Sequence, residues 1–302
     1  MNYIANTKDQ QTDMVAACGE NNLERLFADI PSHLRPQSFS VGRGKSELEV
    51  VQMLQGYARR NYSHLINFLG GGFYDHFIPS AVDAIALRSE FYTAYTPYQP
   101  ELAQGTLQAM YEYQTDICRL TAMEASNASL YDGGTALYEA CQMAIRVTER
   151  PKIIVDGGVN PIYRKMLYSY TANLSIEFAD IPVSHGQSDR QKLFDALDDS
   201  TAALILQNPN FFGVIDNHAD IVERCHSRGI LVIQSVYPIA LALLKPPGEI
   251  GVDIATGEGQ SLGLPLSFGG PYLGFMATSK KLMRKMPGRI VGRTIDNKGR
   301  EG

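Results

Sequence analysis

The chain has 302 residues, of which 44% are hydrophobic and 20% charged, and a formal net charge of −5. These proportions exclude whole-chain disorder and a fibrous repeat, and the length fits one large or two medium domains. A mildly acidic protein is a poor general binder of nucleic acid or anionic membrane. No apolar run reaches the roughly 18 residues that span a bilayer, so no membrane role is expected.

The opening MNYIANTKDQQTDMV has no basic region followed by an apolar one, so no secretion signal is expected. Cys18, Cys118, Cys141 and Cys225 form no CxxC pair and are too sparse for a disulfide scaffold. Read as buried thiols of a reducing compartment, they point to the cytoplasm. The sequons at Asn61, Asn127 and Asn173 are then chance matches.

Residues 1–65 are expected to form an N-terminal helical arm. Helical spacing appears over 20–28 and over 46–60 (Leu48, Val51, Met53, Leu54, Tyr57), broken by Pro31, Pro36 and Gly42. The wide apolar face over 101–121 predicts a largely buried helix. The turn at YDGG opens another helix at about Thr135. Beyond Pro151, apolar runs at 153–155, 174–178, 202–206, 230–233, 252–255 and 273–277 alternate with helical patterns, among them 189–197 and 217–228. Apolar strands alternating with helices indicate an α/β fold, a mostly parallel sheet covered on both faces. The basic, glycine-rich end KKLMRKMPGRIVGRTIDNKGREG closes no domain, and a C-terminal truncation is expected. The expected division is 1–65 arm, 66–280 large domain and 281–302 the start of an incomplete small domain.

Four loops carry possible chemistry. Gly70-Gly71-Gly72 before Phe73, Tyr74, Asp75 and His76 either brings backbone amides close to a ligand or makes a tight turn. YTAYTPYQPE, with Tyr92, Tyr95, Tyr98, Gln99 and Glu101, is stiffened by two prolines and presents phenols and a carboxylate, as in a cleft or an interface. Asp132-Gly133-Gly134-Thr135 either holds an anion at a helix start or is a cap at Thr135; capping is the safer reading, since Asp132 repels phosphate. Asn208, Asn210 and the loops 253–261 and 267–271 follow strands, on the edge where open α/β sheets bind ligands. No GxGxxG, Walker, GxSxG or HExxH pattern occurs. The six histidines lack metal-ligand spacing and are expected to be surface or satisfied core residues.

The segments FLGGGFYDHFIPSAV, EFYTAYTPYQPELAQGTLQAMYEYQT, NASLYDGGTALYEA and GEGQSLGLPLSFGGPYLGFMA closely resemble the glycine decarboxylase P-protein family of the glycine cleavage system. The likeness is to the family's N-terminal half, a separate subunit 1 in many bacteria, and runs over essentially the whole chain. It implies a fold type I, aspartate-aminotransferase-like pyridoxal-phosphate architecture. It also implies an enzyme that decarboxylates glycine and passes the aminomethyl group to the lipoyl arm of H-protein. The coenzyme lysine then belongs to the partner, subunit 2, and two subunit pairs form a heterotetramer.

Where the lysine is expected, aligned on GGP, this chain has Gln260, and where the pyridinium acid is expected it has Gln234. An amide makes neither an imine nor a charged partner. Lys245, Lys280 and Lys281 lie elsewhere and read as solvated or turn lysines. The resemblance therefore implies no covalently held pyridoxal phosphate here. Tyr95, Tyr98 and Glu101, with Gln99, Gly70–Gly72 and His76 nearby, would face a cofactor and glycine held by the partner. Two other readings stand beside it. One is a structural or regulatory pseudo-subunit that never touches substrate. The other is a self-sufficient pyridoxal-phosphate enzyme, against which Gln260 and Gln234 argue.

Overall fold

The structure is a computed structural model and describes residues 5–36, 38, 40–92 and 96–302. The chain divides into two compact units, residues 1–67 and 68–302.

In the first unit, α1 (Lys8–Ala17) and α2 (Glu47–Ala58) each begin with a capping box, Thr7 with Gln10 and Ser46 with Glu49. These reciprocal bonds satisfy backbone donors that a helix start leaves open. Sequence reading found α2 and missed α1. Over 20–28 the structure has only a short 3-10 turn, Leu23–Phe27, in place of the expected helix. Cys18 is exposed within its own unit, contrary to the reading of all four thiols as buried.

The second unit opens with α3 (Ser80–Ala86), α4 (Ser89–Tyr92) and α5 (Gln104–Thr121). Strand β1 (Ala125–Ser126) and helix α6 (Gly133–Thr148) follow. Then come β2 (Lys152–Asp156), α7 (Pro161–Thr171), β3 (Glu177–Ile181), α8 (Arg190–Ala196), β4 (Thr201–Asn208) and α9 (Ala219–His226). Strands β5 (Leu231–Val236), β6 (Ile254–Glu258) and β7 (Gly274–Thr278) complete the sheet. Its order is β1-β7-β6-β5-β4-β2-β3. Strands β2 to β6 are mutually parallel, and β7 runs antiparallel to β6 and β1. A mostly parallel sheet with helices packed on both faces is the expected α/β class.

Alternation along the central strands splits the core into two layers. Ile153, Val155, Ala203, Ile205, Ile233, Ile254 and Met276 pack with Leu137, Ala140, Cys141 and Ala144 of α6 and Tyr163 and Leu167 of α7. Their neighbours Ile154, Leu204, Leu206, Val232, Ala255, Phe275 and Ala277 pack with Ile117 of α5, Leu193 of α8, and Ile221, Val222 and Cys225 of α9. Both faces are covered, so the strands read as continuous apolar runs rather than as half-polar ones.

Three expectations shift. The run predicted at 174–178 is displaced, because Leu174 closes the end of α7 by donating its N–H to Thr171 O at 2.8 Å. β3 therefore starts at Glu177. Helix α5 buries only Gln114, Ile117 and Thr121, because one flank faces an open groove instead of the sheet. Helix α6 starts at Gly133, two residues early, because the Asp132 carboxylate accepts from Thr135 N–H at 2.7 Å and is itself the cap.

Leu204 is fully buried in the centre of β4. Leu204→Ala is expected to cost about 2–5 kcal/mol. Urea unfolding followed by circular dichroism measures this; a loss below about 0.5 kcal/mol would contradict the assigned core.

Candidate functional site

The parallel strands end on one edge of the sheet, and the starts of α6 and α7 lie on the same edge. Sequence alone places ligand-binding loops there. The central group is Glu258, the last residue of β6, which is 3% exposed. Its Oε2 accepts from Gly133 N–H at 2.9 Å. Its Oε1 accepts from Gln260 N–H and Leu273 N–H, both at 3.0 Å. Gly133 is the first residue of α6, so the carboxylate sits at the positive end of a helix with aligned backbone dipoles. A Cβ on Gly133 would come within 2.6 Å of the Tyr163 hydroxyl and 3.1 Å of Glu258 Cβ. Only glycine lets the helix start approach this closely. Burial pushes the Glu258 carboxyl above the ordinary carboxylate range; its three amide partners work against that, and the charge of Asp132 adds a smaller upward push.

Gln260 is 1% exposed. Its Nε2 donates to Leu264 O at 2.7 Å, and its Oε1 accepts from Tyr74 N–H at 3.4 Å. The glycine loop is thereby laid against the strand ends. Asn160 Nδ2 donates to Gly71 O at 2.9 Å, and Gly72 has φ +97°. A Cβ at Gly72 would lie 2.5 Å from that Nδ2, so the loop needs glycine for conformation and for space. Phe73 stacks on Tyr272 with ring centroids 4.4 Å apart. Tyr74 meets Tyr237 edge-on at 5.2 Å, and His76 Nε2 meets the Tyr237 hydroxyl.

Polar groups fill the rest of the edge. Asn208 exchanges two bonds with the Asp216 backbone, at 3.0 and 3.1 Å. Asn210 Oδ1 accepts from Phe212 and Val214 N–H. His218 is buried, lies 3.5 Å from Gln234 Oε1, and is held below the usual imidazole range by desolvation. Asp216 is held low by the Arg190 guanidinium, with two bonds at 2.8 and 3.0 Å. Among the described residues no His, Cys, Asp and Glu cluster is able to hold a metal ion.

The sequence-derived residues fall into two groups. Gly70–Gly72, His76, Gln234 and Gln260 lie together on the sheet edge. Tyr98, Gln99 and Glu101 lie elsewhere: Tyr98 is exposed and has the Arg289 guanidinium 5.5 Å from its ring centroid, and the Gln99 carbonyl accepts from Leu102 and Ala103 N–H. Tyr95 lies outside the described residues. Among the described residues no hydrogen bond, ion pair or ring contact joins the two groups. Sequence reading placed Glu258 on this edge only as part of the loop 253–261, with no role of its own, and missed Asn160 and Tyr237. Asn160 was accessible, since Asn before Pro161 is a helix-start signal and its Oδ1 accepts from Ile162 N–H at 2.9 Å.

The coenzyme implied by the sequence resemblance, pyridoxal phosphate, needs an amine for its aldehyde and donors for its phosphate. Here Gln260 offers an amide engaged at both ends. At the α6 start the Gly133 and Thr135 N–H groups serve the carboxylates of Glu258 and Asp132, which oppose a phosphate. The residues of this crevice do not fit the coenzyme.

The family model described as "Glycine cleavage system P-protein" matches residues 1–302. A protein of Citrifermentans bemidjiense named "Probable glycine dehydrogenase (decarboxylating) subunit 1" is 52% identical over 302 residues, which are the whole chain and 68% of the relative. A protein of the same name from Maridesulfovibrio salexigens is 54% identical over the same shares. A crystal structure of glycine decarboxylase (P-protein) of the glycine cleavage system, in inhibitor-bound form, superposes with TM-score 0.91 at 41% identity, over the whole chain and 68% of that structure. A sphingosine-1-phosphate lyase of Burkholderia pseudomallei, TM-score 0.59 and 16% identity over 84% of this chain and 63% of its own, shares the fold alone.

Glu258→Gln puts an amide donor against one of three backbone donors and is expected to cost about 1–3 kcal/mol. Because the folded-state pKa is raised, the Glu258 contribution is greatest below the ordinary value of 4.5 and fades as pH rises through the raised one. The stability gap between wild type and E258Q should therefore shrink from about pH 4.5 towards neutrality. Paired denaturation curves test this, and a gap that widened with pH would reverse the assignment.

Proposed function

The chain belongs to the glycine cleavage system P-protein family, and from that premise we propose that it is a subunit of glycine dehydrogenase (decarboxylating) that completes a partner's coenzyme site. The carrying observation is the match of all 302 residues to relatives named subunit 1. The crevice supports the same division of labour: Gln260 stands where an imine-forming amine is expected, with its amide bonded at both ends, and Glu258 and Asp132 set carboxylates at the start of α6.

In this reading pyridoxal phosphate is held by a lysine-bearing subunit 2, the aminomethyl group goes to lipoylated H-protein, and two subunit pairs assemble in the cytoplasm. This chain supplies the opposite wall. Tyr95, Tyr98 and Glu101 act from a loop stiffened by Pro97 and Pro100, with Gln99 beside them. Their work is to orient glycine and to exclude water while carbon dioxide leaves. Rigidity matters because a flexible loop loses conformational freedom on engaging substrate, whereas a proline-braced one has already lost it. Gly70–Gly72 and His76 lie near the same coenzyme in this reading, from the sheet edge. An exposed tyrosine on a braced loop favours substrate contact over a purely structural subunit, which has no use for one.

The test mixes this chain with the lysine-bearing subunit and follows exchange of labelled bicarbonate into glycine. Exchange is expected only from the mixture. Tyr95→Ala and Glu101→Ala should each lower turnover by about 10- to 100-fold with assembly intact. Unchanged turnover in both would leave a scaffold, and borohydride trapping of coenzyme on this chain alone would overturn the division.

A further inference from the structure

The flank of α5 that leaves the sheet faces a groove of about 1150 Å³, closed on its far side by residues 289–294. Three guanidinium groups line it. Arg119 is paired with Asp116 at 3.7 Å, and Arg293 with Glu301 at 3.4 Å. Arg289 has no carboxylate partner among the described residues. Its position is nonetheless fixed. The Arg289 carbonyl accepts from Ala128 N–H at 2.7 Å. Two residues on, the Gln114 amide clamps Val291 in both directions, each bond 2.9 Å. The side chain lies over the Tyr98 ring, at the end of the groove lined by Pro100.

A cation over an aromatic face is held by the ring quadrupole and uses up no anion. The planar fork of N–H donors on Arg289 therefore still lacks the acceptor it is shaped for, a carboxylate. The neighbouring loop carries the opposite charge in Glu101. A ligand carboxylate would meet the fork of Arg289 beside Tyr98.

We propose that Arg289 binds the carboxylate of glycine in the shared site, and so sets which substrates the wall formed by this chain accepts. The inference rests on the reading that Tyr98 and Glu101 face substrate. The contact is moderate by construction. Arg289 shares its charge with Tyr98 in a water-accessible groove, so it orients the carboxylate without clamping the group that must depart.

The experiment uses the complex of this chain with its lysine-bearing subunit. The KM for glycine and kcat are measured for wild type, Arg289→Ala and Arg289→Lys, with inhibition by methylamine, an amine that lacks the carboxylate. R289A is expected to raise the KM for glycine by about 10- to 100-fold while the methylamine inhibition constant moves less than about twofold. R289K, which keeps charge and loses the fork, should fall between wild type and R289A, and it carries the test alone if R289A does not assemble. A merely structural arginine would shift glycine and methylamine together, and that result overturns the proposal, as does an unchanged KM. If Glu101→Ala loses turnover while R289A keeps its KM, this inference fails and the shared-site reading stands. If neither variant has an effect, the shared-site reading itself falls.

Discussion

One buried carboxylate organises the working edge of this protein. Glu258 ends β6, bonds the first residue of α6, and holds the turn at Gln260 and the approach to β7 at Leu273. Removing a carboxylate from water is costly, and donors that replace its hydration offset part of that cost. Three backbone amides and a helix dipole do so here. The cost and the compensation are both local, so the edge has one satisfied arrangement. Gly133 belongs to the same constraint, since the helix start comes this close to β6 only without a side chain.

That arrangement determines what the crevice is able to do. Helix starts at the strand ends of α/β sheets attract anions. Here two of the N–H groups at the start of α6 already serve carboxylates of the same chain. The same holds around it: Gln260 is bonded at both ends of its amide, Asn208 and Asn210 fasten loops, and His218 is buried against Gln234. Groups spent on one another are poor at capturing a ligand. Solvent-facing side chains lie instead on the proline-braced loop, at Tyr98, and beside the α5 groove, at Arg289.

The fold was legible because the sheet is covered on both faces. Runs such as 153–155 and 202–206 admit few interpretations, and both became central strands. The direction of β7 was not legible, because an apolar run carries no sign of which way it pairs. β3 was misplaced for a related reason: it is an edge strand of mixed burial, and the apolar Leu174 beside it serves a helix end. The site was legible where loops follow strands, as the glycine loop and the turn at Gln260 meet on the expected edge. It was illegible where the property is a meeting of distant segments. Nothing in the stretch around Glu258 indicates that its carboxylate caps a helix 125 residues earlier.

The split between a saturated crevice and an open loop also bears on how such a subunit is able to lose one function and keep another. The sheet edge and the tyrosine loop share no bond among the described residues, so substitutions on one leave the other largely undisturbed, as distant sites with no common partners do. The loop, standing on its own prolines and on the segment that Gln114 fastens to α5, would keep its geometry throughout. Stability then rests on the bonded edge, and the loop varies without disturbing it.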